Sequence, residues 1–273
     1  MNVIEIESLT RDYGNKKGVF DVTLQVKEGE VFGFLGPNGA GKTTIIRHLM
    51  GFIKNNTGRC RINGMDCWKE SSDIQKLIGY IPGEISFFNE MTGLEYLNFI
   101  SNYRGVKNPQ RQKELIERFE LNANVKIKKM SKGMKQKIGI ISAFMHDPKI
   151  IILDEPTSGL DPLMQNRFIE LIEEEKQKGK TIFMSSHIFE EVERTCDRIG
   201  IIKNGRLMAV DLVETLRERH TRKYVVTLDS EQAALDFAKD FNGEASGLKV
   251  TVSSKQSLEN IFMNYYGGND DDK

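Results

Sequence analysis

One glycine-rich stretch of the sequence ends in a lysine and a threonine and has the residue types needed to hold phosphate groups. The stretch is Gly36, Pro37, Asn38, Gly39, Ala40, Gly41, Lys42 and Thr43. Its spacing is that of a phosphate-binding loop, whose glycines let consecutive backbone N–H groups point at phosphate oxygens. Lys42 supplies a mobile cation for the terminal phosphates, and the Thr43 hydroxyl can ligate a magnesium ion that bridges them.

A second stretch places two adjacent carboxylates, Asp154 and Glu155, directly after the apolar residues 150–153. Asp154 can hold magnesium, directly or through water, and Glu155 can accept a proton from an attacking water. His187 follows the next predicted strand, where its ring could hydrogen-bond a γ-phosphate. Carboxylates and a histidine at strand ends can also be purely structural, but the phosphate loop upstream favours a role in phosphate chemistry.

The chain around these residues predicts the strand and the helix that a phosphate loop needs. Residues 31–35 indicate a buried strand before the loop, and residues 44–50 indicate the start of a helix after it. The N-terminus of such a helix adds partial positive charge for a phosphate. Residues 150–153 and 181–184 are apolar throughout, which is typical of strands buried in a parallel sheet. This order disfavours the alternative of a glycine-rich turn that binds nothing.

Alternating polar and apolar residues predict antiparallel strands at 3–9 and 22–26. Residues 59–62 and 198–210 indicate two hairpins, each with an Asn-Gly turn. The fold class predicted from these patterns is α/β. It comprises a phosphate-loop NTPase core with a mostly parallel sheet and flanking helices, an antiparallel β subdomain, a helical insertion and a small α+β C-terminal unit.

The domain organisation follows from changes of pattern along the chain. Apolar residues at helical spacing predict a helical subdomain over about residues 80–145, inside a nucleotide-binding domain of residues 1–214. Residues 215–266 have the pattern of two strands and two amphipathic helices and predict a separate C-terminal domain. The acidic, glycine-containing residues 267–273 predict a disordered tail.

The composition limits the compartment and the partners. The 273 residues carry 39 basic and 39 acidic side chains, and this neutral balance gives no support for a nucleic-acid partner. The cysteines, Cys60, Cys67 and Cys196, match neither a zinc site nor a disulfide framework and predict free cytosolic thiols. The sequence shows no signal peptide and no run of about 18 apolar residues, so any membrane role is expected to come through a partner.

Taken together, these motifs resemble those of the ATP-binding-cassette ATPases, over about residues 1–210. The motifs occur in the order of that family: Tyr13 at the aromatic position, the loop from Gly36 to Thr44, Asp154-Glu155, residues 158–161 ending in Asp161 at the D-loop position, and His187 at the switch position. The resemblance implies that the cofactors are ATP and Mg²⁺ and that Tyr13 stacks on the adenine. A phosphate loop alone is shared by many classes of protein, whereas this ordered set is specific.

Residues 130–136 resemble the signature motif of the family. Ser131 and Gly133 open a predicted helix, and their N–H groups and hydroxyl could contact a γ-phosphate. The resemblance implies that the signature of one subunit completes the site of another, with two ATP molecules sandwiched in a head-to-tail homodimer or heterodimer. The alternative for Ser131 is the N-cap of an ordinary helix.

The chain departs from the family pattern at two places. The family usually has Leu-Ser-Gly-Gly-Gln in its signature, whereas Met130, Lys132 and Met134 replace the leucine, the first glycine and the glutamine. Gly83 occupies the position of the Q-loop glutamine, which puts the usual magnesium and water contact in question. Both departures resemble bacterial cassettes that pair with separate export-type membrane subunits.

The resemblance implies the ATPase subunit of a transporter, which is cytoplasmic and peripheral at the inner face of the membrane through an integral membrane permease. The region 79–97 is the predicted permease surface because it carries Phe87, Phe88 and Tyr96, although these aromatics could instead form the core of the helical insertion. Two other functions remain open at this point. One is a cassette protein that acts on the ribosome or on DNA, and the other is a kinase or GTPase.

Overall fold

The computed structural model describes residues 1–106, 109–219, 221–254 and 256–267. The chain forms two compact units, which divide between Val210 and Asp211. No helix in the described ranges is long and apolar enough to cross a membrane.

The strands of the first unit are β1 Asn2–Asp12, β2 Gly18–Lys27, β3 Val31–Leu35, β4 Thr57–Ile62, β5 Met65–Asp66, β6 Ile78–Ile81, β7 Ile150–Asp154, β8 Thr181–Ser186, β9 Arg198–Lys203 and β10 Arg206–Leu212, the last of which runs two residues past the division. Its helices are α1 Lys42–Leu49, α2 Ser71–Leu77, α3 Gly93–Tyr103, α4 Gln110–Arg118, α5 Lys132–Phe144, α6 Pro162–Gln177 and α7 Phe189–Thr195. A short 3-10 helix lies at Ile127–Lys129.

A six-stranded sheet with the order β10-β9-β3-β8-β7-β6 forms the centre of the first unit. Strands β3 and β9, β3 and β8, β8 and β7, and β7 and β6 pair in parallel. Every residue of β3, β7 and β8 is buried, as their apolar sequences predict, and the ring of Phe32 stacks on that of Phe183 at 5.7 Å. Because parallel strands end at the same edge, the residues that follow β3, β7 and β8 meet there.

A four-stranded antiparallel sheet, with the order β2-β1-β4-β5, packs against α1. Ile4, Ile6 and Val26 from this sheet share one buried core with Ile45 and Leu49 of α1. The predicted parallel core and antiparallel subdomain are therefore both present, and the loop between β1 and β2 carries Tyr13.

The predicted helical segment contains α3, α4 and α5, but it starts later in the chain than expected. Tyr80 and Ile81 belong to β6, which pairs with β7 at the edge of the central sheet. Pro82 follows the strand, and helix α3 begins only after Thr92, whose side chain accepts a hydrogen bond from the Glu95 N–H in a capping box. The short helices α2 and α7 were also not predicted.

The second unit consists of α8 Val213–Arg219, β11 Arg222–Thr227, α9 Glu231–Asp240, β12 Glu244–Ser246, β13 Lys249–Ser254 and α10 Leu258–Gly267. Its sheet has the order β11-β13-β12, and Ala234, Ala238 and Val250 form a small buried core between α9 and this sheet. The α+β class of this unit is as predicted, whereas β12 and α8 were missed. Gly267 ends α10, and the rest of the predicted tail, residues 268–273, lies outside the described residues.

Candidate functional site

The phosphate loop connects β3 to α1, and its backbone needs glycine at two positions. Gly39 has a φ of +81° and Gly41 a φ of +113°, in the left-handed region that residues with a side chain rarely adopt. Gly41 is also the N-cap of α1, and a Cβ added there would lie 2.8 Å from Cγ1 of Val19. The loop therefore keeps its glycines for conformation and for space, as a nest of N–H groups requires.

Lys42 is the buried cation of this loop, with only 4% of the residue exposed. Its Nζ donates to the carbonyl oxygens of Gly36, at 2.6 Å, and Pro37, at 3.2 Å. The same Nζ lies 3.3 Å from Oε1 of Glu155, at the end of β7. The structure thus places the predicted cation and the predicted general base in direct contact.

Asp154 immediately precedes Glu155 in the chain and is 1% exposed. Its Oδ1 accepts a hydrogen bond from the Ser185 hydroxyl at 2.6 Å, because the β7–β8 register sets the two residues side by side. Its Oδ2 is buried and has no hydrogen-bond partner within the described chain. A Cβ added at Gly83 would approach that oxygen to 3.0 Å, so the residue at the Q-loop position lies against the free oxygen.

Glu155 has a left-handed backbone, with a φ of +49°, which is uncommon for a residue with a side chain. Its N–H donates to the carbonyl oxygen and to the hydroxyl of Ser185, both at 3.1 Å, and these contacts hold the turn. The Oε2 of Glu155 lies 3.5 Å from Nδ1 of His187, whose side chain is 53% exposed. One carboxylate therefore contacts both the lysine and the histidine that the sequence predicts for the site.

Tyr13 lies beside the loop and is 49% exposed. Its ring lines the same groove as the phosphate loop and Glu155, together with Lys42, Thr43 and Thr44. The Arg11 guanidinium lies 5.2 Å from the centre of the Tyr13 ring. An exposed aromatic ring at the mouth of a phosphate site is suitably placed to stack on a base.

The signature residues lie elsewhere in the first unit. Ser131 is the N-cap of α5, where its hydroxyl accepts from the Met134 N–H at 3.2 Å, and Asp161 caps α6 in the same way through Met164 at 3.0 Å. Gly133 is so close to the D-loop segment that a Cβ there would lie 2.7 Å from the carbonyl oxygen of Gly159. Among the described residues that line the groove, none belongs to the signature or to the D-loop segment.

The sequence interpretation missed four polar side chains that hold the site together. These are Thr157, Ser185, Ser186 and Glu191. Ser185 binds Asp154 and the turn at Glu155, while Ser186 and Thr157 both donate to the buried carboxyl group of Glu191. The pair of serines immediately before His187 was the one available signal.

Comparisons with known proteins identify the family of the chain. The family model described as ABC transporter matches residues 19–158. The bacitracin transport ATP-binding protein BcrA of Bacillus licheniformis is 39% identical over 233 residues, which cover 84% of this chain and 76% of BcrA. The linearmycin resistance ATP-binding protein LnrL of Bacillus subtilis (strain 168) is 37% identical over 213 residues, which cover 76% of this chain and 68% of LnrL.

A solved ATP-binding subunit of an ABC transporter matches with a TM-score of 0.72 and 33% identity, over 80% of this chain and 92% of the other. The fold and the site thus define a nucleotide-binding cassette with a phosphate loop. The chain belongs to the ABC transporter family. It is the ATP-binding subunit of such a transporter, an ATPase that powers transport through a separate membrane subunit. The predicted transporter function is confirmed, and the kinase, GTPase, ribosome and DNA alternatives are set aside.

Proposed function

We propose that Lys42, Glu155 and His187 carry out ATP hydrolysis in the groove beside the phosphate loop. The observation that carries this proposal is the contact of one carboxylate, that of Glu155, with both the lysine and the histidine. Glu155 takes the proton of the attacking water, Lys42 balances the charge of the terminal phosphates, and His187 contacts the γ-phosphate from the solvent side. Tyr13 binds the adenine by stacking.

The carbonyl oxygens of Gly36 and Pro37 and the Glu155 carboxylate contact the Lys42 ammonium group. Phosphate oxygens are stronger acceptors for an ammonium group than neutral carbonyls, so Lys42 exchanges those contacts for the β- and γ-phosphates. The exchange would free the Glu155 carboxylate to take the proton of a water molecule next to the γ-phosphate.

The residues present fit a magnesium ion. Asp154 offers a buried carboxylate oxygen without a partner in the described chain, and Thr43 offers an exposed hydroxyl at the first turn of α1. A hard cation with oxygen ligands is what such a pair prefers. When bound, Mg²⁺ supplies positive charge to the phosphate oxygens. Asp154 is kept in orientation by the Ser185 hydroxyl at 2.6 Å.

The signature residues act in a second copy or a second cassette subunit in this proposal. Ser131 and Gly133 lie at the exposed start of α5, away from the groove of their own chain, yet their hydroxyl and N–H groups are suited to a phosphate. A head-to-tail dimer would bring them to the γ-phosphate held by the partner's loop. Asp161, at the start of α6, would lie near the same contact.

The permease contact is proposed for an aromatic patch, which consists of Phe87, Phe88, Tyr96 and Phe99. Each ring of the patch contacts at least one other, at centre distances from 4.9 to 6.5 Å. Phe88 and Phe99 are 57% and 44% exposed, which favours a docking surface over the core of the helical insertion.

Two relatives indicate the direction of transport, because one is named for bacitracin transport and the other for linearmycin resistance. Resistance to a toxic compound fits its removal from the cell, and we propose export for this chain too. The protein would then lie at the cytoplasmic face of the membrane, bound to its permease. We also propose that the C-terminal unit, which the sequence predicts from residue 215 onward, is a separate domain.

The test of the catalytic proposal is the Glu155→Gln variant. Glutamine has the size of glutamate and can hydrogen-bond a water, but it cannot take its proton. We expect phosphate release to fall about 10²–10⁴-fold, while binding of a fluorescent ATP analogue is retained. Normal hydrolysis by the variant would rule out Glu155 as the base.

A further inference from the structure

Glu191 is a buried acid for which the reaction described so far has no use. It lies on α7, and only 2% of the residue is exposed. Its Oε2 accepts hydrogen bonds from the hydroxyls of Ser186, at 2.6 Å, and Thr157, at 3.3 Å. Its Oε1 has no hydrogen-bond partner in the described ranges, and the residue lines a small cavity.

The two hydroxyls belong to the segments that carry the reacting side chains. Thr157 follows Glu155 by two residues, and Ser186 immediately precedes His187. The Ser186 hydroxyl also accepts from the N–H of Ile188 at 3.0 Å, so it binds the chain on both sides of the histidine. A single carboxyl group therefore joins the Glu155 segment to the His187 segment.

The position of Glu191 is itself fixed from the other side. The Thr195 hydroxyl donates to the Glu191 carbonyl oxygen at 2.7 Å, and the neighbouring Val192 is fully buried. A buried carboxyl group costs free energy unless its hydrogen bonds compensate for lost water, and a hydrophobic side chain of similar size would avoid that cost. An acid is present at position 191 because the hydroxyls of Ser186 and Thr157 both need an acceptor.

We propose that Glu191 is a positioning residue for ATP hydrolysis, which clamps the hydroxyls of Thr157 and Ser186 and thereby holds His187 in place against the Glu155 carboxylate. The inference rests on the roles proposed above for Glu155 and His187. Because the histidine side chain is 53% exposed, its own packing gives it little support. Its geometry depends on the backbone that Ser186 and Glu191 hold.

The experiment compares Glu191→Leu, which removes the acceptor, with Glu191→Gln, whose carbonyl oxygen can accept the same two hydrogen bonds. The exposed neighbour Glu190 gives the matched control, Glu190→Gln. In the full-length protein we expect Glu191→Leu to lower kcat about 10–100-fold, since a small misplacement of reacting groups can cost about 10² in rate. The KM for ATP should stay within about threefold, and both Gln variants should keep kcat within about threefold.

The second readout is the imidazole NMR signal of His187, assigned with His187→Gln. We expect this signal to shift in Glu191→Leu and to keep its position in Glu191→Gln, a contrast that a general loss of stability does not produce. If the leucine variant does not fold, Thr157→Val tests the same clamp from its other end. It should lower kcat by itself and, where Glu191→Leu folds, add little to that variant.

Three results would overturn the clamp: a folded Glu191→Leu protein with unchanged kcat, a Glu191→Gln protein as impaired as the leucine variant, or a lowered kcat with an unshifted His187 signal. Failure of the underlying catalytic roles is recognised separately. It shows as normal hydrolysis by Glu155→Gln, whatever the Glu191 variants do.

Discussion

The charge state of Glu191 gives a prediction about stability that can be measured without any nucleotide. Burial raises the pKa of this carboxyl group from 4.5 to about 7; hydrogen bonds from Ser186 and Thr157 oppose the shift, and the charge of Glu155 adds to it. A difference of roughly 2.5 pKa units corresponds to about 3 kcal/mol between the two protonation states.

Proton linkage determines whether the free energy of unfolding rises or falls with pH. The folded protein keeps the Glu191 proton at a pH where the unfolded chain has already released it, so this contribution to stability is fully present below pH 4.5. It is lost progressively as the pH rises through the folded pKa of about 7. Glutamine cannot titrate, so the free energy of unfolding of the wild type should fall relative to that of Glu191→Gln by about 2–3 kcal/mol between pH 5 and pH 8.

Urea unfolding at several pH values measures this difference. Trp68 is the only tryptophan of the sequence and lies in the same compact unit as Glu191, so its fluorescence reports on the unit concerned. Other titrating groups cancel when the two proteins are compared at each pH. Glu190→Gln, at the exposed neighbouring position, is the matched control. If the wild type and Glu191→Gln differ by the same amount at every pH, Glu191 is ionised in the folded protein and the reasoning is wrong.

Three further predictions concern binding and assembly. Replacement of the 49% exposed Tyr13 by alanine should weaken ATP binding about tenfold or more, because base stacking contributes about 1–3 kcal/mol, whereas Tyr13→Phe should bind normally in the same fluorescence titration. Glu155→Gln should accumulate as a dimer with Mg²⁺ and ATP in light scattering, and a monomer that binds ATP would contradict the proposed sandwich. Phe88→Glu should lose transport in vesicles that contain the permease but keep the basal ATPase; a lowered melting temperature with lost ATPase would instead identify Phe88 as core.

The parts of the site that the sequence predicted are those encoded locally. The phosphate loop needs its glycines within a few residues of Lys42, and Glu155 follows directly from an apolar run that is buried in β7. Strand β6 could not be found in the same way. It has four residues, lies next to Pro82, and owes its place to pairing with β7, which comes about 70 residues later in the chain.

Glu191 escaped prediction for a related reason. Helix α7 carries three glutamates in seven residues, a composition that normally indicates a solvated surface. Of the two hydroxyls that donate to the buried Glu191, that of Ser186 is five residues earlier in the chain and that of Thr157 is 34 residues earlier. Nothing in the local pattern separates Glu191 from the exposed Glu190. The bond between Ser185 and Asp154 likewise depends on the register of two strands, which the sequence does not specify.

The close approach of Gly133 to Gly159 has a mechanical consequence. A Cβ at Gly133 would lie 2.7 Å from the Gly159 carbonyl oxygen, and the Lys132 Nζ donates to the Ser158 hydroxyl at 2.8 Å, so the start of α5 is in direct contact with the 158–161 segment. A displacement of the N-terminus of α5 is therefore transmitted to the 158–161 segment, which begins three residues after Glu155. In the proposed head-to-tail dimer, Ser131 would contact the γ-phosphate of the neighbouring chain. A movement of Ser131 would then be passed through the 158–161 segment to Glu155, which acts on the chain's own ATP.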